Sequence, residues 1–141
     1  MSSTQLIPQR ERREAIVLAH VAAENAGDLD ATLATFYRPR YNVLPMGAVS
    51  EGEAAVRQLV GGLVTAFPDF HFKIGKLHHA DDAVIVEGIM TGTHKGNWAG
   101  MEARSRQMQL PVACVFDFED DRLINESVYF DFATLQRQLT A

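Results

Sequence analysis

Strict alternation in residues 107–118 constrains the fold more than any other feature of this sequence. Every even-numbered residue in this stretch is apolar, and the set is Met108, Leu110, Val112, Cys114, Phe116 and Phe118. The odd-numbered residues mix polar and apolar types. Because successive side chains of a strand point to opposite faces, the pattern predicts a β-strand with one dry face.

The next apolar stretch, residues 123–131, places a carboxylate among apolar neighbours. Its even-numbered residues are Ile124, Glu126, Val128 and Phe130. In a strand these side chains share one face, which we expect to be the inner face of a sheet. Glu126 is therefore the first candidate for a functional residue.

Length and composition indicate one compact domain. A chain of 141 residues buries roughly two thirds of its unfolded surface, which is enough for a hydrophobic core. We expect a single domain over residues 8–141 and a flexible lead-in over residues 1–7. No stretch has the length and apolarity of a signal peptide or a membrane span, so we expect a cytoplasmic protein without a membrane partner.

Charge and cysteine content argue against two other classes of protein. The net charge is -5 and the basic residues are scattered, whereas a nucleic-acid-binding protein needs a basic stripe. Cys114 is the one cysteine, which excludes an internal disulfide and a thiolate zinc cluster. Since its neighbours are apolar, we expect it to be buried and reduced.

Three helices are predicted in the first half of the chain. Pro8 suits the first helical position and predicts a helix over residues 8–25. Asp28 can cap a second helix, which Pro39 ends. Ser50-Glu-Gly-Glu53 has the form of a capping box, and the apolar residues after it recur at helical spacing. This spacing predicts a third helix.

The second half is predicted to be rich in strands. Phe70, Phe72 and Ile74 alternate with polar residues, and a turn precedes a further strand over residues 83–94. Residues 41–49 form a short strand or an irregular segment, and a last short helix follows Asp131. Helices followed by an antiparallel meander give the α+β class. We expect three N-terminal helices packed in a strongly curved, mostly antiparallel sheet that forms a cone with an apolar pocket.

Four motifs in order along the chain resemble one known family. They are Asn25-Ala-Gly-Asp-Leu-Asp30, Ala66-Phe-Pro-Asp69, Gly92-Thr-His-Lys-Gly96 with Gly100-Met101, and Asp131-Phe-Ala-Thr-Leu-Gln-Arg-Gln-Leu139. With them the chain resembles the SnoaL-like polyketide cyclases over nearly its whole length. The resemblance implies the cone-shaped α+β fold named after nuclear transport factor two, which hosts isomerases, dehydratases, epoxide hydrolases, cyclases and non-catalytic binders.

The resemblance implies a reaction, and the sequence departs from the residues that carry it. Cyclases of this family close a polyketide ring by intramolecular aldol condensation without a metal or cofactor, so the resemblance implies no cofactor here. They use an aspartate on the last strand and a histidine on the preceding one. With the shared ending in register, these positions hold Val128 and Cys114. Glu102-Ala-Arg104 also stands where the family usually has Pro-Pro-Thr.

Glu126 and His94 are the predicted catalytic residues. Glu126 lies on the strand face of Val128, about 7 Å away, and desolvation on an apolar wall raises the pKa of a carboxyl group. Alternatively, Glu126 faces water or pairs with an arginine. The candidate arginines are Arg104, Arg106 and Arg122. His94 ends the inner row of its strand, where it can donate to a substrate carbonyl; alternatively, it is a surface or turn histidine bonded to backbone.

Six residues are predicted to contact a substrate, namely Trp98, Met90, Cys114, Phe116, Val128 and Phe130. Trp98 is either a lid over the pocket or an ordinary packing residue. We expect no metal at His78 and His79, because consecutive strand residues point to opposite faces. His20 on the first helix is interpreted as a buried-edge or solvent histidine rather than a catalytic one.

Two functions stay open. One is a cofactor-independent enzyme, of the lyase or isomerase type, that acts on a hydrophobic small molecule by proton abstraction next to a carbonyl or by a related cyclisation. The other is a ligand-binding or scaffold protein that lacks the chemistry. A cavity of a few hundred Å³ with two convergent polar groups favours the enzyme, whereas a cavity filled by Met90, Phe116 and Phe130 favours the scaffold.

A homodimer is also predicted. Ala113, Val115 and Tyr129 fall on the outer face of the sheet and leave apolar area exposed to water. The family resemblance also implies a dimer, because proteins of the cone-shaped α+β fold commonly form dimers through this sheet.

Overall fold

The computed structural model describes residues 8–141, so the lead-in expected over residues 1–7 lies outside the described part. Its α-helices are α1 (Gln9–Asn25), α2 (Leu29–Ala34), α3 (Glu53–Ala66) and α4 (Phe132–Thr140). Its strands are β1 (Arg40–Val43), β2 (Ala48–Glu51), β3 (His71–His79), β4 (Ala83–Thr93), β5 (Gln107–Glu119) and β6 (Arg122–Tyr129). No helix in this part is long and apolar enough to cross a membrane.

The strands form a mixed sheet in the order β2-β1-β6-β5-β4-β3. Neighbouring strands are antiparallel except for β1 and β6, which are parallel. Apolar side chains of α1, α3 and α4 pack with those of the sheet in one hydrophobic core. The predicted α+β class, with N-terminal helices and a mostly antiparallel sheet, is therefore confirmed.

The alternation that predicted β5 is confirmed, and the alternation in β6 is confirmed in part. All even-numbered residues of β5 from Met108 to Phe118 are buried. In β6, Glu126 and Val128 are buried as expected, but Leu123 is fully buried in place of Ile124. The pairing of β5 with β6 shifts next to Phe118, and such an irregularity changes which residues face the core.

The start of α3 differs from the expectation. The predicted capping box is wrong, because Ser50 and Glu51 lie in β2 and no side chain caps α3. Gly52 stands at the junction with φ of 91°, a conformation that glycine adopts without strain. Residues 41–49, expected to be a short strand or an irregular segment, contain parts of β1 and β2 with a 3-10 turn (Leu44–Met46) between them.

Polar residues of two family motifs hold the elements around the core in place. The Asn25 side chain donates to Phe72 O at 3.0 Å and accepts from Phe72 N at 2.8 Å, which fixes the end of α1 to β3. Asp69 accepts hydrogen bonds from Thr93 N and Thr93 Oγ1, both at 2.7 Å. Asp28 caps α2 as predicted, accepting from Ala31 N at 3.0 Å.

Gly88→Ala is expected to destabilise the fold, because β3 leaves no room for a Cβ at this position. The added atom would press on the carbonyl oxygen of Lys73 and lie 2.8 Å from the Phe72 ring. Overpacking of this kind costs about 1–3 kcal/mol in the free energy of unfolding, measurable by urea denaturation.

Gly62→Ala in α3 is the matched control. Its Cβ would meet nothing within 4 Å, so we expect a gain of about 0.5–1 kcal/mol from the lost flexibility of the unfolded chain. Equal stability of the two alanine variants would contradict this account of the β3–β4 contact.

Candidate active site

An apolar cavity lies between the helices and the inner face of the sheet. It offers about 80 Å³ to the centre of a water-sized molecule, which is room for several waters or one small organic group. Most of its lining is aliphatic, aromatic or methionine. The lining residues are Glu24, Tyr41, Val43, Met46, Leu59, Val60, Leu63, Phe67, Met90, Trp98, Met108, Leu110, Glu126, Val128, Phe130 and Leu135.

Two carboxylates and a phenol are the polar side chains that reach this cavity from three elements. Glu126 on β6 stands beside Tyr41, because the parallel pairing of β1 with β6 puts these residues in register. Glu24 comes from α1, one helical turn after His20, so both point to the same side of the helix. We call His20, Glu24, Tyr41 and Glu126 the acid–imidazole cluster.

The imidazole of His20 is the centre of the acid–imidazole cluster. Its Nε2 atom lies 2.8 Å from Glu126 Oε1, 3.2 Å from Glu24 Oε1 and 2.9 Å from the Tyr41 hydroxyl. The His20 ring is fully buried and Glu126 is only 2% exposed. Such burial makes each contact electrostatically stronger than the same contact in water.

The surrounding hydroxyl groups assign a proton to each ring nitrogen of His20. Thr35 donates its own proton to Thr32 O at 2.7 Å, so its oxygen accepts from His20 Nδ1 at 2.8 Å. Tyr41 donates its proton to Glu24 Oε2 at 2.9 Å, so its oxygen accepts from Nε2. A ring that donates from both nitrogens is an imidazolium.

Electrostatics agree with this assignment. Burial alone lowers the pKa of His20, but the charges of Glu24 and Glu126 outweigh it and raise that pKa from 6.5 to about 10. Burial, followed by the charge of Glu24, raises the pKa of Glu126. Burial also raises the pKa values of Tyr41 and Cys114 well above their ordinary range. We therefore describe the cluster as an imidazolium between two carboxylates, one of which is held at a raised pKa.

One oxygen of Glu126 is poised to take up a proton. Glu126 Oε1 accepts no aligned hydrogen bond from any residue in the described part of the chain, although His20 Nε2 is 2.8 Å away. A buried carboxylate oxygen without a hydrogen bond is costly, and a proton from a bound molecule would relieve that cost. The arrangement can therefore act as a base toward a C–H or O–H group in the cavity.

Four of the six residues predicted to contact a substrate line the cavity: Trp98, Met90, Val128 and Phe130. The other two, Cys114 and Phe116, are buried on the neighbouring strand β5 and do not line it in this conformation. Cys114 pairs with Val128 across the strands, and Phe116 pairs with Glu126. Both side chains thus lie beside the cavity wall on the inner face of the sheet, where the Phe116 ring is 5.3 Å from the His20 ring.

His94 lies apart from the acid–imidazole cluster. Its ring is fully buried and stacks on Phe67 with the ring centroids 5.2 Å apart. Neither ring nitrogen has a hydrogen-bond partner among the described residues. Phe67 lines the cavity and His94 does not, so a catalytic role for His94 stays a prediction.

His20, Glu24 and Tyr41 are not identified as site residues by the sequence patterns. A histidine and a glutamate four residues apart are common on exposed helix faces, and His20 was interpreted as an edge or solvent residue. The usable signal was that both lie on the helix face of Val17 and Val21, which are buried. The partner of Glu126 is this histidine, not one of the arginines considered.

The cluster also has the composition of a metal site. One ligand-type atom from each of His20, Glu24 and Glu126 lies within 4.8 Å of the others. A metal would need His20 Nε2 without its proton, whereas the hydrogen bonds describe an imidazolium. His78 and His79 contact Glu87 and Glu14 respectively, on different elements, and do not converge.

The free energy of unfolding should fall as the pH rises from 6.5 toward 10. In this window the folded chain holds a proton on His20 that the unfolded chain has lost, because folding raises the His20 pKa to about 10. The His20 contribution is therefore complete below pH 6.5 and disappears on the alkaline side. One such proton gives a slope of at most about 1.4 kcal/mol per pH unit, and urea denaturation at a series of pH values measures it.

His20→Gln should remove this slope between pH 6.5 and about 8, below the range in which Cys114 and Tyr41 lose their protons in the unfolded chain. It should also destabilise the fold by about 3–5 kcal/mol, since two buried carboxylates lose their cation. His71→Gln is the matched control, because His71 is exposed on β3, and it should keep the slope. Wild-type stability that does not change over this window would contradict a buried imidazolium.

Comparison with known proteins agrees with the fold. The profile described as SnoaL-like polyketide cyclase matches residues 14–139, and no curated protein sequence matches. A candidate polyketide cyclase from Xanthomonas campestris pv. campestris superposes with a TM-score of 0.83 at 22% identity, over 93% of this chain and 98% of that one. A candidate SnoaL-like polyketide cyclase from Jannaschia sp. CCS1 gives 0.81 at 17% identity, over 93% of each chain.

A third solved structure comes from Catenulispora acidiphila and has a ketosteroid isomerase-like fold. It superposes with a TM-score of 0.75 at 20% identity, over 89% of this chain and 92% of that one, and it contains bound trimethylamine. At these identities the superpositions establish the fold, that of nuclear transport factor two and ketosteroid isomerase. Because the family profile covers nearly the whole sequence, this chain belongs to the SnoaL-like polyketide cyclase family.

Proposed function

We propose that this protein is an enzyme that moves a proton next to a carbonyl group in a small hydrophobic molecule, with Glu126 as the proton acceptor. The observation that carries the proposal is the buried Glu126 side chain, which lines an apolar cavity and whose Oε1 accepts no aligned hydrogen bond from the described residues. A carboxylate in such surroundings is a stronger base than one in water.

The remainder of the cluster supports this role. The His20 imidazolium lies 2.8 Å from Glu126 and offsets part of the desolvation that raises the pKa of Glu126, which favours the carboxylate form. Aliphatic and aromatic walls exclude water, so the proton passes to Glu126 rather than to solvent. This chain itself supplies every side chain that the proposed proton transfer to Glu126 uses.

The cavity limits the size and polarity of the substrate. With about 80 Å³ open to the centre of a water-sized molecule, it accepts a small group or one portion of a larger molecule. Its walls carry no lysine or arginine among the described residues, so an anionic substrate would meet two carboxylates and be repelled. An uncharged ketone or ester fits this lining.

Membership of the cyclase family supports carbonyl chemistry but not a particular product. Cyclases close rings after removal of a proton next to a carbonyl, and Glu126 is placed for the same first step. Val128 and Cys114 occupy the positions at which the resemblance places the acid/base aspartate and histidine. We infer that Glu126, two residues before Val128 on β6, replaces the missing aspartate.

The second candidate function is binding without chemistry. The loss of both family residues and the small cavity, into which Met90 and Phe130 project, favour it. A binder would retain affinity for hydrophobic molecules after Glu126 is neutralised, whereas the proposed enzyme would lose its turnover. Neutralising Glu126 in a single variant therefore distinguishes the enzyme from the binder.

We also propose a homodimer through the outer face of the sheet. A groove on that face is lined by residues of β3, β4 and β5 together with Tyr129, whose side chain is 47% exposed. Ala113 lies opposite Tyr129 on the neighbouring strand and adds apolar area. A second copy of this chain would cover these residues.

Glu126→Gln should lower proton transfer by about 10²–10⁴-fold, because the amide keeps the shape of the side chain but accepts no proton. The assay is exchange of the α-hydrogens of cyclohexanone in D₂O, followed by NMR. Glu87→Gln is the control, since Glu87 is 57% exposed on β4, and it should exchange at the wild-type rate. Wild-type exchange by Glu126→Gln, with binding retained, would establish the binder instead.

Light scattering should give a mass of about twice 15.6 kDa for the wild type. Tyr129→Ala should shift the equilibrium toward the monomer, because a large apolar contact is lost. Tyr37→Ala is the matched control, since Tyr37 is 55% exposed after α2 and does not line this groove. A wild-type monomer at high micromolar concentration would overturn the dimer proposal.

A further inference from the structure

We propose that Glu126 and Glu24 are the two ends of one proton relay, so that a proton removed by Glu126 is returned to a different carbon by Glu24. The inference rests on the proposed function and deepens it. The reaction class is then an isomerisation that moves a carbon–carbon double bond relative to a carbonyl group.

Three consecutive contacts join the two carboxylates. Glu126 Oε1 lies 2.8 Å from His20 Nε2, His20 Nε2 lies 2.9 Å from the Tyr41 hydroxyl, and that hydroxyl lies 2.9 Å from Glu24 Oε2. Each separation is within hydrogen-bond distance, and in the free protein the Nε2 proton is aligned on Tyr41 rather than on Glu126. The chain of contacts is therefore continuous from one carboxylate to the other.

Both ends of the relay open onto the same cavity. Glu24 and Glu126 line it, and their nearest carboxylate oxygens lie within 4.8 Å of each other. Two carbons separated by one further carbon are about 2.5 Å apart from standard bond lengths and angles. One bound molecule can therefore present two carbons of an unsaturated ketone, one to each carboxylate.

The proton can leave the His20 ring in one direction only. Nδ1 donates to Thr35 Oγ1, and the Thr35 proton is held by the carbonyl oxygen of Thr32. A main-chain carbonyl oxygen does not pass a proton on. The Nε2 side, which faces Tyr41 and both carboxylates, is the side that exchanges.

The steps conserve every proton. Glu126 takes the α-proton, and the electron pair of the broken C–H bond delocalises into the carbonyl as a dienolate. His20 Nε2 then gives its proton to the Tyr41 oxygen while Tyr41 gives its own to Glu24. Glu126 next returns its proton to Nε2, and Glu24 protonates the γ-carbon. The last transfer restores Glu24 to a carboxylate. Glu126, His20 and Tyr41 already hold their starting number of protons at that point, so no proton has to move back.

The site is reset without any external reactant, and only the Tyr41 hydroxyl has to turn its proton back toward Glu24 Oε2. After Glu24 protonates the γ-carbon, the cluster again holds an imidazolium, a phenol and two carboxylates, the state that the hydrogen bonds of the free protein describe. The Cys114 thiol, the other titratable group against Glu126, has its pKa raised well above its ordinary range and stays protonated throughout.

Two small ketones distinguish the relay from a single base. Cyclohexanone exchanges its α-hydrogens in D₂O and needs Glu126 alone, whereas conversion of 3-cyclohexenone to 2-cyclohexenone needs proton delivery to a second carbon. In Tyr41→Phe and Glu24→Gln we expect the ratio of isomerisation to exchange to fall by about 10²-fold or more, the scale of one acid–base group. Tyr37→Phe and Glu14→Gln are the matched controls and should keep the wild-type ratio.

Each outcome decides between named alternatives. An unchanged ratio in Tyr41→Phe and Glu24→Gln, with Glu126→Gln inactive in both assays, would show that Glu126 shuttles the proton alone and would overturn the relay but not the proposed function. Absence of exchange by the wild type would contradict the proposed function, and the relay with it. A merely structural role of Tyr41 would lower both rates together and leave their ratio unchanged.

A measurement without substrate provides an independent check. In ¹⁵N NMR of the free wild-type protein at neutral pH, both ring nitrogens of His20 should carry protons. Tyr41→Phe should shift the Nε2 resonance and leave Nδ1, which contacts Thr35, unchanged. An Nε2 without a proton would overturn the relay, because Tyr41 would then have no proton to receive.

Discussion

A single buried positive charge allows the two carboxylates of the site to coexist. Glu24 and Glu126 face one apolar cavity, and two carboxylates this close in a dry environment would otherwise repel until one took up a proton. The imidazolium of His20, 2.8 Å and 3.2 Å from their oxygens, counters that repulsion. It also joins α1 to β6, so the packing of the first helix on the sheet and the proposed acid/base chemistry depend on the same contacts.

This ion cluster contributes less to the free energy of unfolding than the short distances between its charged groups suggest. Replacing a buried ion group with well-packed apolar residues is often neutral or stabilising, although removing one partner is costly. Cavity walls rich in leucine, valine and methionine show that apolar residues suit this place in the fold. The fold therefore does not require an imidazolium and two carboxylates there, which agrees with the acid/base role proposed for them.

Local sequence patterns predicted most of the fold, but Glu126 is the one residue of the acid–imidazole cluster that they predicted. Alternation in β5 identified its buried face, and the same periodicity turned Glu126 inward, because strand parity does not depend on distant residues. The capping box at Ser50 failed because strand pairing of β2 outweighed a local motif. His20 could not be assigned from its helix, since its partner Glu126 reaches it only through the fold. The volume of the cavity could not be predicted either, because it depends on how side chains far apart in the sequence pack together.

The parallel pairing of β1 with β6 determines when the site comes into existence. Tyr41 and Glu126 are neighbours in the sheet although most of the chain lies between them, and contacts of such large sequence separation form late because their loop-closure entropy must be met first. During synthesis on a ribosome, His20, Glu24 and Tyr41 emerge long before the carboxylate that completes their cluster. A nascent chain therefore lacks the complete acid–imidazole cluster until β6 has been made, and the cluster forms only when the last strand pairs with the first one.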